Sequence, residues 1–247
     1  MKTLVVIPAR YASSRFPGKP LADINGKSMI RRTYEQALQA ASVDRVVVAT
    51  DDERIVQHVR AFGGAVVLTA PDHPSGTDRV AEVAAAAGEE YPFVINVQGD
   101  EPFIPPAMID QVLAPLRRGS TIATLAKEIT NAAELHNPNV VKVVRDRRGK
   151  ALYFSRLPLP YLRDRPLGAT DELPAQTYYR HIGIYAFRAG ALRDLAELEP
   201  TPLETAERLE QLRWLEHGYA VQVDITDMDS AGIDTPEQLA TLRRGGA

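Results

Sequence analysis

The order in which short β-branched runs and helical periods follow one another constrains this chain more than any other feature. Leu4-Val5-Val6-Ile7 lacks polar alternation, as a strand covered on both faces does, and Val46-Val47-Val48-Ala49 and the runs at 66–69, 93–97 and 121–126 continue a sheet. Helical periods fill the intervals. Ser28 precedes Ile30, Tyr34, Ala37, Leu38 and Ala41 at helical spacing, and Asp52 precedes Ile55, Val56, Val59 and Phe62 before the Gly63-Gly64 stop. Further helices are predicted over 77–87 and 106–116. This alternation predicts an α/β fold built on a mostly parallel sheet.

After about Asn137 the pattern changes. Runs at 140–144 and 151–155 flank the charged turn Arg145-Asp146-Arg147-Arg148-Gly149 and predict a hairpin. Pro158, Pro160, Pro166 and Pro174 punctuate an irregular stretch at 157–176, which suits a lid or a subunit contact. A strand at 181–187, a helix at 202–217, a strand at 220–225 and a helix opened by Pro236 complete the reading. No repeat or linker divides the chain. Residues 1–247 are expected to form a single domain with a hairpin and lid-like segment around 138–190.

Charge and composition exclude several functions. Lys and Arg number 29 against 32 Asp and Glu, a net charge of −3 that leaves no basic footprint for nucleic acid. No apolar run approaches the ~20 residues of a membrane span. The apolar stretch in Met1–Pro8 is too short for a secretion signal, so a cytoplasmic location is expected. The absence of cysteine rules out disulfides, thiolate zinc sites and a cysteine nucleophile. His58, His73, His136, His181 and His217 show no H-x-x-x-H spacing, which argues against zinc.

The strongest local signal is the loop after the first strand, Pro8-Ala9-Arg10-Tyr11-Ala12-Ser13-Ser14-Arg15-Phe16-Pro17-Gly18-Lys19. Three cations, hydroxyls and a glycine stand at a strand's carboxyl end, where open α/β sheets bind ligands. Arg10, Arg15 and Lys19 suit a polyphosphate, against the alternative of a solvated basic loop. Gly26-Lys27-Ser28 lacks the rest of a P-loop, and no G-x-G-x-x-G follows the first strand. Asn96-Val97-Gln98-Gly99-Asp100-Glu101 brings carboxylates to the same edge. Asp100 is then either a Mg²⁺ ligand beside phosphate oxygens or a turn residue. Asp234, just before Pro236, is a second such carboxylate or a helix cap. Ser75-Gly76-Thr77-Asp78-Arg79 opens a helix and reads equally as anion site or cap.

In this order, the blocks IPARYASSRFPGKPL (7–21), HPSGTDR (73–79), NVQGDEPFI (96–104), NPNVVKVV (137–144), ALYFSR (151–156), RHIGIY (180–185), LEQLR (209–213) and GIDTPE (232–237) resemble the CMP-Kdo synthetase family. The resemblance spans nearly the whole chain. It implies a Rossmann-like, glycosyltransferase-A-like nucleotidyltransferase fold with a mixed, mostly parallel sheet. It also implies transfer of CMP from CTP to Kdo with Mg²⁺, releasing pyrophosphate, for lipopolysaccharide synthesis. By the same resemblance Arg10 and Lys19 contact the triphosphate, helped by Ser13 and Arg15. Pro8 and Ala9 border the cytosine, and Arg79 is a further nucleotide contact. Asp100 and Asp234 hold the metal, while Gln98, Arg156, His181, Tyr185, Glu210 and Gln211 surround the sugar acid. One departure is visible, ETAER at 204–208 where EHIEM-like sequences are common.

A homodimer is also implied. Leu157, Leu159, Tyr161 and Leu162 suit an interface, though packing on the chain's own sheet would serve them as well. The rival functions are a cytidylyltransferase for another 2-keto sugar acid (a sialic acid or 8-amino Kdo), an enzyme consuming a nucleotide sugar, and a non-catalytic nucleotide-binding module.

Overall fold

The computed structural model describes residues 1–12, 16–164, 173, 175–230 and 232–245. Strand β1 (Thr3–Ala9) leads through a loop to a 3₁₀ turn at Lys19–Leu21 and a small hairpin, β2 (Asp23–Ile24) and β3 (Lys27–Ser28). There follow α1 (Met29–Leu38), β4 (Arg45–Thr50), α2 (Glu53–Ala61), β5 (Val66–Leu68), α3 (Gly76–Ala86), β6 (Phe93–Asn96), α4 (Pro106–Arg117) and β7 (Ile122–Glu128). The rest comprises α5 (Ala132–His136), β8 (Lys142–Arg145), β9 (Ala151–Ser155), β10 (Tyr179–Arg188), α6 (Ala189–Ala196), α7 (Pro202–Glu207), α8 (Gln211–Glu216), β11 (Val221–Ile225) and α9 (Pro236–Gly245).

The main sheet runs β11-β7-β10-β6-β1-β4-β5, with the β8–β9 hairpin attached through β8 to β10. β1 pairs parallel with β4 and β6, β4 with β5, and β11 with β7, while β10 is antiparallel to both β6 and β7. The sheet is therefore mixed and mostly parallel. Alternate side chains feed two cores. Val5 and Ile7 pack with Ile30, Val112 and Leu116 on one face. Leu4 and Val6 pack with Val80, Leu192 and Trp214 on the other. Full burial of each such aliphatic chain contributes about 1.5–3 kcal/mol, which is why β1, β4 and β6 lie inside the sheet, while the run at 66–69 forms its edge strand β5 with Leu68 exposed.

The expected caps are present. Ser28 accepts from the Arg31 N–H at 3.3 Å and Asp52 from the Arg54 N–H at 2.9 Å. The helix predicted at 202–217 is not continuous. It breaks into α7 and α8 at Arg208, whose φ of 51° is left-handed. A left-handed non-glycine costs about 1–2 kcal/mol. The break turns Glu210 onto the hydroxyls of Ser75 and Thr77 at 2.8 and 2.7 Å. Two hydrogen bonds to a charged group, each worth about 1.5–3 kcal/mol, offset that strain. Helices α5 and α6 were not foreseen. No helix among the described residues is long and apolar enough to cross a membrane.

Candidate active site

The carboxyl ends of β1, β4, β5 and β6 share one edge, and the end of the first loop at Gly18-Lys19 is fixed beside it. Gly18 adopts φ +72°, its N–H donates to the Tyr11 carbonyl at 2.9 Å, and a Cβ there would meet the Tyr11 ring at 3.2 Å. The Arg54 guanidinium stacks on that ring at 3.4 Å and is itself held by Asp52 at 2.9 and 2.5 Å. The start of α2 thus braces Tyr11, Tyr11 braces Gly18, and the next residue is Lys19.

Lys19 Nζ lies 2.6 Å from Asp100 Oδ2 and 3.2 Å from Asp234 Oδ1. Burial works against its charge, but Asp100 and then Asp234 outweigh that cost and leave its pKa above the usual lysine value. Asp234 is not the cap of α9. Thr235 takes that role: its Oγ1 accepts from the Gln238 N–H at 3.3 Å, and Gln238 Oε1 accepts from the Thr235 N–H at 3.1 Å. This is a capping box, and the spacing Thr235-x-x-Gln238 was its available sequence signal. It leaves the Asp234 carboxylate free to face Lys19.

Two bonds bring the distant segments together. The Ile233 N–H donates to the Asp100 carbonyl at 3.0 Å, and Ser230 Oγ donates to Glu101 Oε2. Burial raises the Glu101 pKa; Ser230 opposes this, and the neighbouring Asp100 and Asp234 charges add to it. Glu101 was legible as one of the carboxylates at this edge, but its bond to Ser230, 129 residues away, was not.

Pro8 and Ala9 end β1. A Cβ on Gly99 would lie 2.9 Å from the Pro8 carbonyl oxygen, so only glycine allows the Gln98-Gly99 turn to approach β1 this closely. Arg10 is exposed and donates to the carbonyls of His73 and Ser75, the latter at 3.4 Å. Ser13 and Arg15 lie outside the described residues. Arg79 is fully buried: it pairs with Asp51 at 3.0 Å and donates to Thr69 Oγ1, so its side chain faces β4 and β5 rather than open solvent. Its Nε has no partner among the described residues.

A second cluster lies on the face shared with α3 and α8. The His181 ring packs against Phe154 at 5.1 Å and Tyr185 at 5.3 Å, and Tyr185 meets Trp214 edge-on at 5.0 Å. A β-bulge after Ile182 interrupts the β10–β7 ladder between His181 and Tyr185, the kind of irregularity that re-aims side chains near sites. Thr124 Oγ1 bonds the Ile184 carbonyl at 2.8 Å, which commits its proton; His181 Nε2, 2.9 Å away, therefore donates to it. Desolvation pushes the His181 pKa down to about 3.

The Tyr185 hydroxyl is buried with no partner among the described residues, and burial, then the Glu210 charge, holds its pKa well above the usual tyrosine value. Burial also raises Glu210, against the Thr77 and Ser75 hydroxyls. The N-terminus of α3, read from sequence as anion site or cap, is met by the chain's own groups. Ser75 and Asp78 form a capping box there, and Glu210 closes over it. Gln211 is buried at the start of α8. Gln98 Nε2 donates to Asn96 Oδ1 at 3.3 Å, and Asn96 stands opposite Tyr185 in the β6–β10 register. Arg156 Nε, Nη1 and Nη2 donate to the carbonyls of Glu207, Pro138 and Arg208 at 2.7, 2.9 and 3.3 Å, clamping the end of α7. Among the described residues no three His, Cys, Asp or Glu side chains gather as a ready-made metal cage.

Comparison with known proteins matches residues 4–225 of the chain to a cytidylyltransferase family model. A 3-deoxy-manno-octulosonate cytidylyltransferase of Syntrophotalea carbinolica is 54% identical over 245 residues, covering 98% of this chain and 97% of that one. That of Pseudomonas syringae pv. tomato is 55% identical, covering 97% and 96%. The solved structure of a CMP:2-keto-3-deoxy-manno-octonic acid synthetase complexed with CTP superposes with a TM-score of 0.89 at 45% identity, over 99% of this chain and 98% of that one. A 4-diphosphocytidyl-2C-methyl-D-erythritol synthase from Anaerococcus prevotii shares the fold alone, with a TM-score of 0.61 at 16% identity over 99% and 98% of the two chains. Matched end to end by such relatives, and carrying its cations and carboxylates on one sheet edge, the chain belongs to the 3-deoxy-manno-octulosonate cytidylyltransferase family.

Proposed function

We propose that the protein transfers CMP from CTP to 3-deoxy-D-manno-octulosonate (Kdo), giving CMP-Kdo and pyrophosphate for lipopolysaccharide synthesis in the cytoplasm. The observation that carries this reading is the convergence of Lys19, Asp100 and Asp234 beside the end of β1. Two carboxylates that already share one cationic nitrogen are a hard-oxygen donor pair suited to Mg²⁺, with phosphate oxygens completing the shell. Held there, Mg²⁺ would supply positive charge to the phosphates and lower the pKa of the attacking sugar hydroxyl.

The chain's own groups do the rest by positioning and charge. Pro8 and Ala9 border the base. Arg10, exposed and bound to the carbonyls of His73 and Ser75, exchanges them for phosphate oxygens, with Ser13, Arg15 and Lys19 along the same loop. Lys19 neutralises charge that grows on the departing pyrophosphate. His181 is neutral at pH 7 and orients the sugar by hydrogen bonding; Tyr185, Glu210, Gln211 and Gln98 add polar contacts, the unpartnered Tyr185 hydroxyl foremost. Arg79 and Arg156 serve from behind, fastening the start of α3 and the end of α7. Leu152, Leu157 and Tyr161, each more than 60% exposed on or beside the β8–β9 hairpin, form the face of a homodimer.

The test is pyrophosphate release with each of the four NTPs against a panel of sugar acids. Mg²⁺-dependent release with CTP and Kdo is expected. Turnover only with another 2-keto acid, or none with CTP, refutes the assignment.

A further inference from the structure

Lys19 stands where two functions compete. In the proposed reaction its ammonium belongs to the triphosphate, yet in this structure it bridges the two carboxylates assigned to the metal. Its position is not loose. Lys19 begins the 3₁₀ turn, Gly18 before it is pinned to Tyr11, and Tyr11 is stacked under Arg54. The backbone that carries Asp100 and Asp234 is held too, by the Ile233 N–H bond to the Asp100 carbonyl and by the capping box at Thr235.

We infer that Lys19 is a resident counter-cation that excludes free divalent metal from Asp100 and Asp234 until a triphosphate draws its ammonium away. The inference rests on the reading of that pair as the metal site. With Lys19 in place the three groups carry a net charge of −1, against −2 for the bare pair, and one oxygen of each carboxylate is already engaged. A free cation must therefore both displace the ammonium and bind a weaker field. A triphosphate supplies a better partner for Lys19 and oxygen ligands for the metal at once, so nucleotide and metal favour each other's binding. Linkage makes that coupling reciprocal.

The consequence is an order of events: metal enters with the nucleotide, and the ligand-free protein does not collect divalent cations.

Free Mn²⁺ measured by electron paramagnetic resonance tests this without turnover, in the absence of Kdo. Wild type without nucleotide is expected to bind Mn²⁺ at least about ten-fold more weakly than Lys19→Met or Lys19→Gln, two neutral replacements whose melting curves report on folding. The same titration on the CTP complex reports on the metal site itself. There Asp100→Asn and Asp234→Asn are expected to lose most of the protein-dependent Mn²⁺ binding. Equal nucleotide-free Mn²⁺ affinity in wild type and a folded Lys19 variant overturns the inference while leaving the metal site in place. Undiminished Mn²⁺ binding by both aspartate variants with CTP overturns the metal assignment, and the inference with it.

Discussion

His181 is half-buried, yet its pKa is pushed down to about 3 by desolvation, against 6.5 for a free histidine. Because the folded value is the lower one, the fold resists protonating this ring. The resulting destabilisation is absent above the unfolded pKa and grows as the pH falls below about 6.5 towards 3. At 1.36 kcal/mol per pH unit, acidification to pH 5 costs about 2 kcal/mol. For a chain of this length that lowers Tm by about 4–8 °C relative to pH 7. Glu101 and Glu210 carry the opposite sign: both are raised by burial, so their protonation favours the folded state as pH falls. The wild-type profile therefore mixes the two. His181→Gln removes the histidine contribution while leaving an amide for Thr124, the residue that shares the hydrogen bond at 2.9 Å. Thermal melts of both proteins at pH 7 and pH 5 isolate the difference, with the wild type expected to lose about 4–8 °C more than the variant. Parallel profiles would show that the fold does not resist protonating His181, and the desolvation argument would fall with them.

Asp100→Asn and Asp234→Asn are each expected to lower kcat by at least about 10²-fold, since each removes metal charge stabilisation of several kcal/mol. Steady-state pyrophosphate release checks this, and wild-type turnover in a folded variant removes that residue from the metal site. Asp51→Ala strands the buried Arg79 guanidinium, a loss of about 3–5 kcal/mol for a broken buried pair and about 6–20 °C in Tm. An unchanged melt with weakened CTP binding would instead return Arg79 to direct nucleotide contact.

The frame of the fold was legible because burial on both faces writes unalternating runs directly into the strands, and because Ser28 and Asp52 cap where a local rule places them. The break at Arg208 was not. Nothing in Glu204-Thr205-Ala206-Glu207-Arg208 is a breaker; the turn follows from where Glu210 finds its partners, on a helix more than a hundred residues earlier. The site divides in the same way. Lys19, Asp100 and Asp234 could be nominated from residue type and strand ends. Whether Asp234 capped or faced the site turned on Gln238, whose return bond to Thr235 releases it. Arg79 and Arg156 show the converse, since residue type advertises a ligand contact while the partners, Asp51 for one and three carbonyls for the other, are set by packing that periodicity does not report.

Lys19 meets one carboxylate 81 residues away and the other 215 residues away. During synthesis this spacing becomes a timetable. The strands β1, β4, β5 and β6 leave the ribosome as one contiguous block and can zip together early, yielding an edge that already displays the cationic loop and Asp100. Only after β11 and the segment carrying Asp234 emerge does the constellation close. A nascent chain thus passes through a stage that has one half of its sheet and only part of its electrostatic centre.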